Sequence, residues 1–154
     1  MYSLRALPLA LALVACESGT ESSARVDPQA QNCMALAMYW EARGEGREGM
    51  VAVGSVVMNR VEDERFPNDT CSVIRQGGET APCQFSWWCD GRSDRPKPGP
   101  LWSESREVAR EILEGQVNDP TGGAIYFHHE SIDPPWEKKR TKSIGSHVFY
   151  ADPP

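Results

Sequence analysis

The residues with the most chemical promise lie in Tyr39-Trp40-Glu41-Ala42-Arg43-Gly44-Glu45-Gly46. A helix over residues 33–43, turning about 100° per residue, gathers Cys33, Leu36, Ala37 and Trp40 into one apolar stripe. Glu41 falls at the flank of that stripe, beside Ala37. Gly44 and Gly46 stop the helix, so Glu41 occupies its last turn, where the helix carries partial negative charge. A carboxyl group half wrapped in apolar side chains at that end prefers its protonated form. Such an acid at neutral pH is what cleavage of a glycosidic bond requires. Periodicity alone favours a surface glutamate in a solvated turn. Glu45, at i+4, is the nearest second carboxylate, and the flanking glycines leave its direction open.

A second set is Gln84-Phe85-Ser86-Trp87-Trp88. Flat rings suit pyranose faces, while an amide and a hydroxyl suit ring substituents. Some of these aromatics are expected in the core instead. Tyr126 and His128 share one strand face, and Trp136 follows in a loop that can wall a groove. A zinc site is the rival reading. His128 and His129 are strand neighbours pointing to opposite faces, and no His-Glu-x-x-His or Cys-x-x-Cys spacing exists. No metal and no cofactor are expected.

The elements that must hold these groups follow from pattern. Asn32 is a candidate N-cap for the first helix. The run from Met50 to Met58 is nearly all apolar and rich in Val; its length and charged ends favour a second helix, about Arg47 to Val61, over a buried strand. The small Ala52, Gly54 and Ser55 would let the first helix approach. Asn59-Arg60 closes the second helix, either as a structural cap and charge pair or as a substrate contact. Residues 62–100 form a long irregular stretch with two Cys and two adjacent Trp, ordered by a disulfide. Ser103 caps a third helix to about Glu114, with Val108, Ile112 and Leu113 inward. Residues 124–128 alternate as a strand, with 146–150 as partner.

The chain has 154 residues, enough for one domain, and a formal net charge of −6. An acidic, dispersed surface excludes nucleic acid as the expected partner. Residues 1–15 read as a secretory signal too short to span a bilayer. Their end, Leu13-Val14-Ala15-Cys16, resembles a bacterial lipobox, which makes Cys16 the lipidated N-terminus of a mature chain. Glu17 rather than Asp after it points to the periplasmic face of the outer membrane, held there by more than one acyl chain. Residues 16–31 read as a flexible tether, and residues 32–151 as the domain. The remaining Cys33, Cys71, Cys83 and Cys89 are an even set in an exported chain and read as two disulfides. Three connectivities are possible; Cys83–Cys89 with Cys33–Cys71 is the expectation. A monomer is the default.

Tyr39 to Gly46, Gly49-Met50-Val51-Ala52-Val53, Val57-Met58-Asn59-Arg60-Val61, Phe66-Pro67, Cys83 to Trp87 with Cys89-Asp90-Gly91, and Gly145 to Tyr150 together resemble the cell wall hydrolase family of the SleB, spore cortex-lytic type. The resemblance runs in order from Cys33 to Tyr150. It implies an α+β fold: a small, lysozyme-like, mainly helical domain with a short β-hairpin and a long disulfide-tied loop. It also implies cleavage of peptidoglycan glycan strands between N-acetylmuramic acid and N-acetylglucosamine, as a lytic transglycosylase with Glu41 as acid and then base. A water-using muramidase would need Glu45 as well. An N-acetylmuramoyl-L-alanine amidase or a non-catalytic wall-binding lipoprotein are further alternatives. Family members usually carry a polar residue and a His where this chain has Ile125 and Tyr126, which leaves any contact by that pair in doubt.

Overall fold

Asp27 starts the first helix, its carboxylate accepting from the backbone N–H groups of Gln29 and Ala30 at 3.1 and 3.3 Å, with Pro28 at the first helical position. A computed structural model describes residues 25–79 and 83–153 of the chain. The signal, the Cys16 lipobox and most of the tether therefore lie outside the described residues. Helix α1 spans Pro28–Glu41. Asn32 is thus interior rather than a cap, and the helix begins inside the stretch expected to be tether.

Among the described residues α1 is followed by α2 (Gly46–Glu62), α3 (Thr70–Ile74), a short 3-10 helix (Ser86–Cys89), α4 (Pro100–Leu113) and strands β1 (Tyr126–His129), β2 (Lys139–Ile144) and β3 (His147–Ala151). This is an α+β fold. Helix α1 packs against α2, α3 and α4. Its buried set is therefore Cys33, Met34, Ala35, Ala37, Met38 and Tyr39, wider than the stripe expected of a surface helix. Leu36 and Trp40 are only partly buried.

Helix α2 is buried on two sides. Met50, Val53 and Val57 join the helical core, while Ala52 and Val56 pack on Ala124, Ile144 and Phe149 of the sheet region. Gly54 is a point of close helix approach: a Cβ there would sit 2.4 Å from Ile112 Cδ1 and 3.3 Å from Met38 Sδ. The expected approach at small residues holds at Gly54, whereas Ala52 faces the sheet.

Residues 62–100 are not structureless. Asp69 caps α3 through the N–H of Ser72 at 2.9 Å, and a Cys33–Cys71 disulfide ties α3 to α1. Cys83–Cys89 closes a second, short loop. Helix α4 starts at Pro100 after Gly99 with no side-chain cap; Ser103 lies within its first turn, donating its N–H to Gly99 O at 3.1 Å.

The two strands expected as a hairpin, β1 and β3, are two of the three in an antiparallel sheet of order β1-β3-β2, with β2 between them in the chain. Tyr126 pairs with Tyr150 and His129 with His147. Strand β2, missed in the pattern, reads Lys-Arg-Thr-Lys-Ser-Ile and buries only Ile144. It is an edge strand with charged side chains, which carries no alternation to find. The end of α2 holds the sheet in place: Asn59 Nδ2 donates to Ala124 O at 2.9 Å, and Arg60 Nε to Ile125 O at 2.8 Å.

Candidate active site

Helix α1 runs out at Glu41, where the Ala42 N–H returns to Met38 O and Gly44 and Gly46 take positive φ to turn the chain into α2. Glu41 thereby faces a groove of about 560 Å³. Arg60 of α2 shares its floor. One wall is Cys83, Gln84 and Ser86; the other is Tyr126 to His129 with His147, rimmed by Ile132, Trp136 and Lys138.

Burial pushes the Glu41 carboxyl up to about 7, with the Arg60 cation pulling the other way. The carbonyl end of α1 acts in the same direction as burial. Among the described residues the Glu41 side chain makes no hydrogen bond.

Glu45 is committed elsewhere. One carboxylate oxygen accepts from the Ser146 N–H at 2.9 Å and the other from the Ser146 hydroxyl. Those two bonds hold its carboxyl below the usual range. Gly145, at φ +56°, permits this approach: a Cβ there would overlap Glu45 Oε2 at 1.7 Å. Glu45 does not line the groove.

The segment read as a sugar platform divides in two. Gln84 and Ser86 are exposed on the groove wall. Phe85 and Trp87 are 1% and 8% exposed and belong to the core behind it; their rings lie 6.5 Å apart and support the wall from inside. Tyr126, His128 and Trp136 do come together. Trp136, 41% exposed, lies 6.1 Å from Tyr126 and 5.6 Å from His128 between ring centroids. His128 Nδ1 donates to His129 O at 2.8 Å, which leaves Nε2 to accept from the Tyr150 hydroxyl at 3.0 Å. Lys138 Nζ sits 3.6 Å above the Tyr126 ring and pairs with Asp152 at 2.9 Å.

Sequence reasoning did not single out Phe127, His129, Lys138 or His147 for the groove. Arg60 was found only as one of two readings of the Asn59-Arg60 pair. Among the described residues no group of three His, Cys, Asp or Glu side chains is placed to hold a metal ion.

The cell wall hydrolase family model matches residues 44–150, more than half of the chain. The chain belongs to this family. The spore cortex-lytic enzyme of Oceanobacillus iheyensis is 35% identical over 121 residues, which span 75% of this chain and 39% of that protein. For the spore cortex-lytic enzyme of Bacillus subtilis the identity is 34%, over 75% of this chain and 35% of that protein. The chain thus spans well under half the length of these relatives. Two solved family structures share the fold. The catalytic domain of the germination-specific lytic transglycosylase SleB from Bacillus anthracis superposes with a TM-score of 0.64 at 30% identity, covering 81% of this chain and 96% of that domain. The SleB catalytic domain of Bacillus cereus gives 0.63 at 26%, covering 86% and 99%. The family match begins three residues after Glu41.

Proposed function

We propose that this domain cleaves peptidoglycan glycan strands between N-acetylmuramic acid and N-acetylglucosamine as a lytic transglycosylase. The observation that carries the reading is a single carboxyl group, kept protonated near neutrality by burial, facing an aromatic-walled groove. The naming of the Bacillus anthracis domain as a lytic transglycosylase supports it. Glu41 gives its proton to the glycosidic oxygen as the C1–O bond breaks. The resulting carboxylate takes the proton of the muramyl C6 hydroxyl as O6 bonds to C1. A 1,6-anhydro end forms, Glu41 is again protonated, and no water is consumed. Hydrolysis with two carboxylates would need a partner for Glu41 across the sugar, and Glu45 is turned onto Ser146 instead.

In this reading Gln84, Ser86, Tyr126, His128 and Trp136 contact the glycan, and Phe85 and Trp87 act from the core. The enzyme works in the bacterial envelope. Its finer placement is a monomeric lipoprotein on the periplasmic face of the outer membrane, anchored through Cys16.

The test is mass spectrometry of muropeptides released by the purified domain with Cys16 replaced. Anhydro ends are expected. Reducing ends would make it a muramidase, freed stem peptides an amidase, and no release a wall-binding protein.

A further inference from the structure

Arg60 is 4% exposed, yet among the described residues it forms no ion pair. Its Nε donates to Ile125 O at 2.8 Å. The guanidinium carbon lies 5.4 Å from the Phe66 ring centroid and 5.7 Å from that of Phe85. Nη1 is buried and has no hydrogen-bond partner among the described residues. Burying a cation with no counter-charge is strongly disfavoured. A strut between α2 and the sheet needs one N–H and an apolar shaft, and both can be had without a charge. The charge therefore calls for its own explanation, and the same side chain lines the groove beside Glu41.

We propose that Arg60 is a positioning residue that supports the ionised state of Glu41, so that one carboxyl group can release a proton and recover one within a single turnover. The proposal rests on the acid-then-base reading of Glu41. Burial favours the protonated acid, which suits the first step and opposes the carboxylate that the step creates. A fixed cation offsets that opposition at the moment the C1–O bond breaks, and keeps the carboxylate in place until the C6 hydroxyl proton arrives. Arg60 stays protonated throughout.

The other groups sharing the groove with Glu41 are Tyr126, His128 and His129 of β1, His147 of β3 and Lys138 ahead of β2, while Arg43, next on the Glu41 segment, turns to Tyr39 and Trp40 instead. Lys138 is paired with Asp152. Burial holds His147 toward its neutral form. Arg60 is the charge that draws the Glu41 carboxyl downward against burial.

The experiment follows the Glu41 carboxyl by carbon-13 NMR titration without substrate, with the resonance assigned from Glu41→Gln, alongside pH profiles of turnover. Arg60→Lys keeps the charge; Arg60→Gln removes it. A semisynthetic chain with citrulline at position 60 removes the charge while keeping shape and donors. The two neutral replacements should raise the Glu41 midpoint by about one unit and carry the alkaline limb of turnover with it. Arg60→Lys should stay near the wild type. A midpoint unmoved in a folded neutral variant overturns the proposal, as does a rise in KM with both midpoint and limb unchanged. A citrulline chain that cannot fold beside a folded Arg60→Lys would make the charge structural and also overturn it. Because the midpoint is read without substrate, absence of anhydro ends from the wild type would defeat the reaction assignment separately.

Discussion

Glu45 binds Ser146 with both carboxylate oxygens, although 101 residues separate the two in the chain. That contact fastens the β2–β3 turn to the start of α2, and it removes Glu45 from the chemistry four residues away at Glu41. The distribution of work between two nearby glutamates follows from it: one is held ionised by hydrogen bonds, the other held neutral by burial.

Glu41→Gln should lower anhydro-muropeptide release on the order of 10³-fold while leaving the fold and glycan binding intact. Release within tenfold of the wild type would remove Glu41 from its role.

The pH dependence follows from the same group. The acid step needs the protonated form, so turnover at limiting substrate should fall above about pH 7. Folding has its own signature. The Glu41 carboxyl titrates higher in the folded chain than the ordinary 4.5, so its contribution to stability is fully present below pH 4.5 and is lost as pH rises through about 7. Glu41→Gln should match the wild type at pH 4.5 and exceed it by about 3 kcal/mol at pH 8, measured by denaturant unfolding. Parallel stability curves for the two proteins would contradict the buried carboxyl.

Glu45→Gln should retain turnover within about tenfold, since an amide can still bond Ser146 and no second carboxylate is required. Glu45→Ala should lose about 1 kcal/mol of stability at neutral pH. Because the Glu45 carboxyl is held low, that gap should be full above pH 4.5 and close as pH falls through the lowered folded value. A loss of turnover in Glu45→Gln equal to that in Glu41→Gln would point to two-carboxylate hydrolysis.

The two disulfides should separate by assay. Replacing Cys33 and Cys71 with Ser opens a link across 38 residues and should cost about 3 to 4 kcal/mol in stability. Replacing Cys83 and Cys89 should act on KM instead, because Gln84 and Ser86 lie within that short loop on the groove wall. Steady-state kinetics showing KM unchanged in the second pair would leave the loop without a part in binding.

The site was legible where punctuation was strong. Gly44 and Gly46 end α1, and the Trp-Glu pair before them placed the acid in a half-apolar last turn. Asn32 and Asp27 are equally good capping residues, but only Asp27 is followed by proline, which fits the first helical position and sets the true start. Strand β2 could not be seen because an edge strand of Lys, Arg, Thr and Ser has no buried face to pattern. Gln84 to Trp87 was found as a segment but not sorted, since composition cannot say which of alternating residues turn inward. Arg60 reads in sequence as half of a closing pair; that it is buried and, among the described residues, in no ion pair is a fact of three dimensions.

Helix α2 is shared between two packings, Met50, Val53 and Val57 on one side and Ala52 and Val56 on the other, and only Phe127 of the groove wall also packs on both. The acid belongs to the helical half, while the facing wall from Tyr126 to His129 is carried by the sheet. Any widening of the cleft to admit a glycan strand is therefore taken up at the Phe127 ring and along this common beam. Its two fastenings to the sheet side, Glu45 at one end and Asn59-Arg60 at the other, would then set how far the jaws can part.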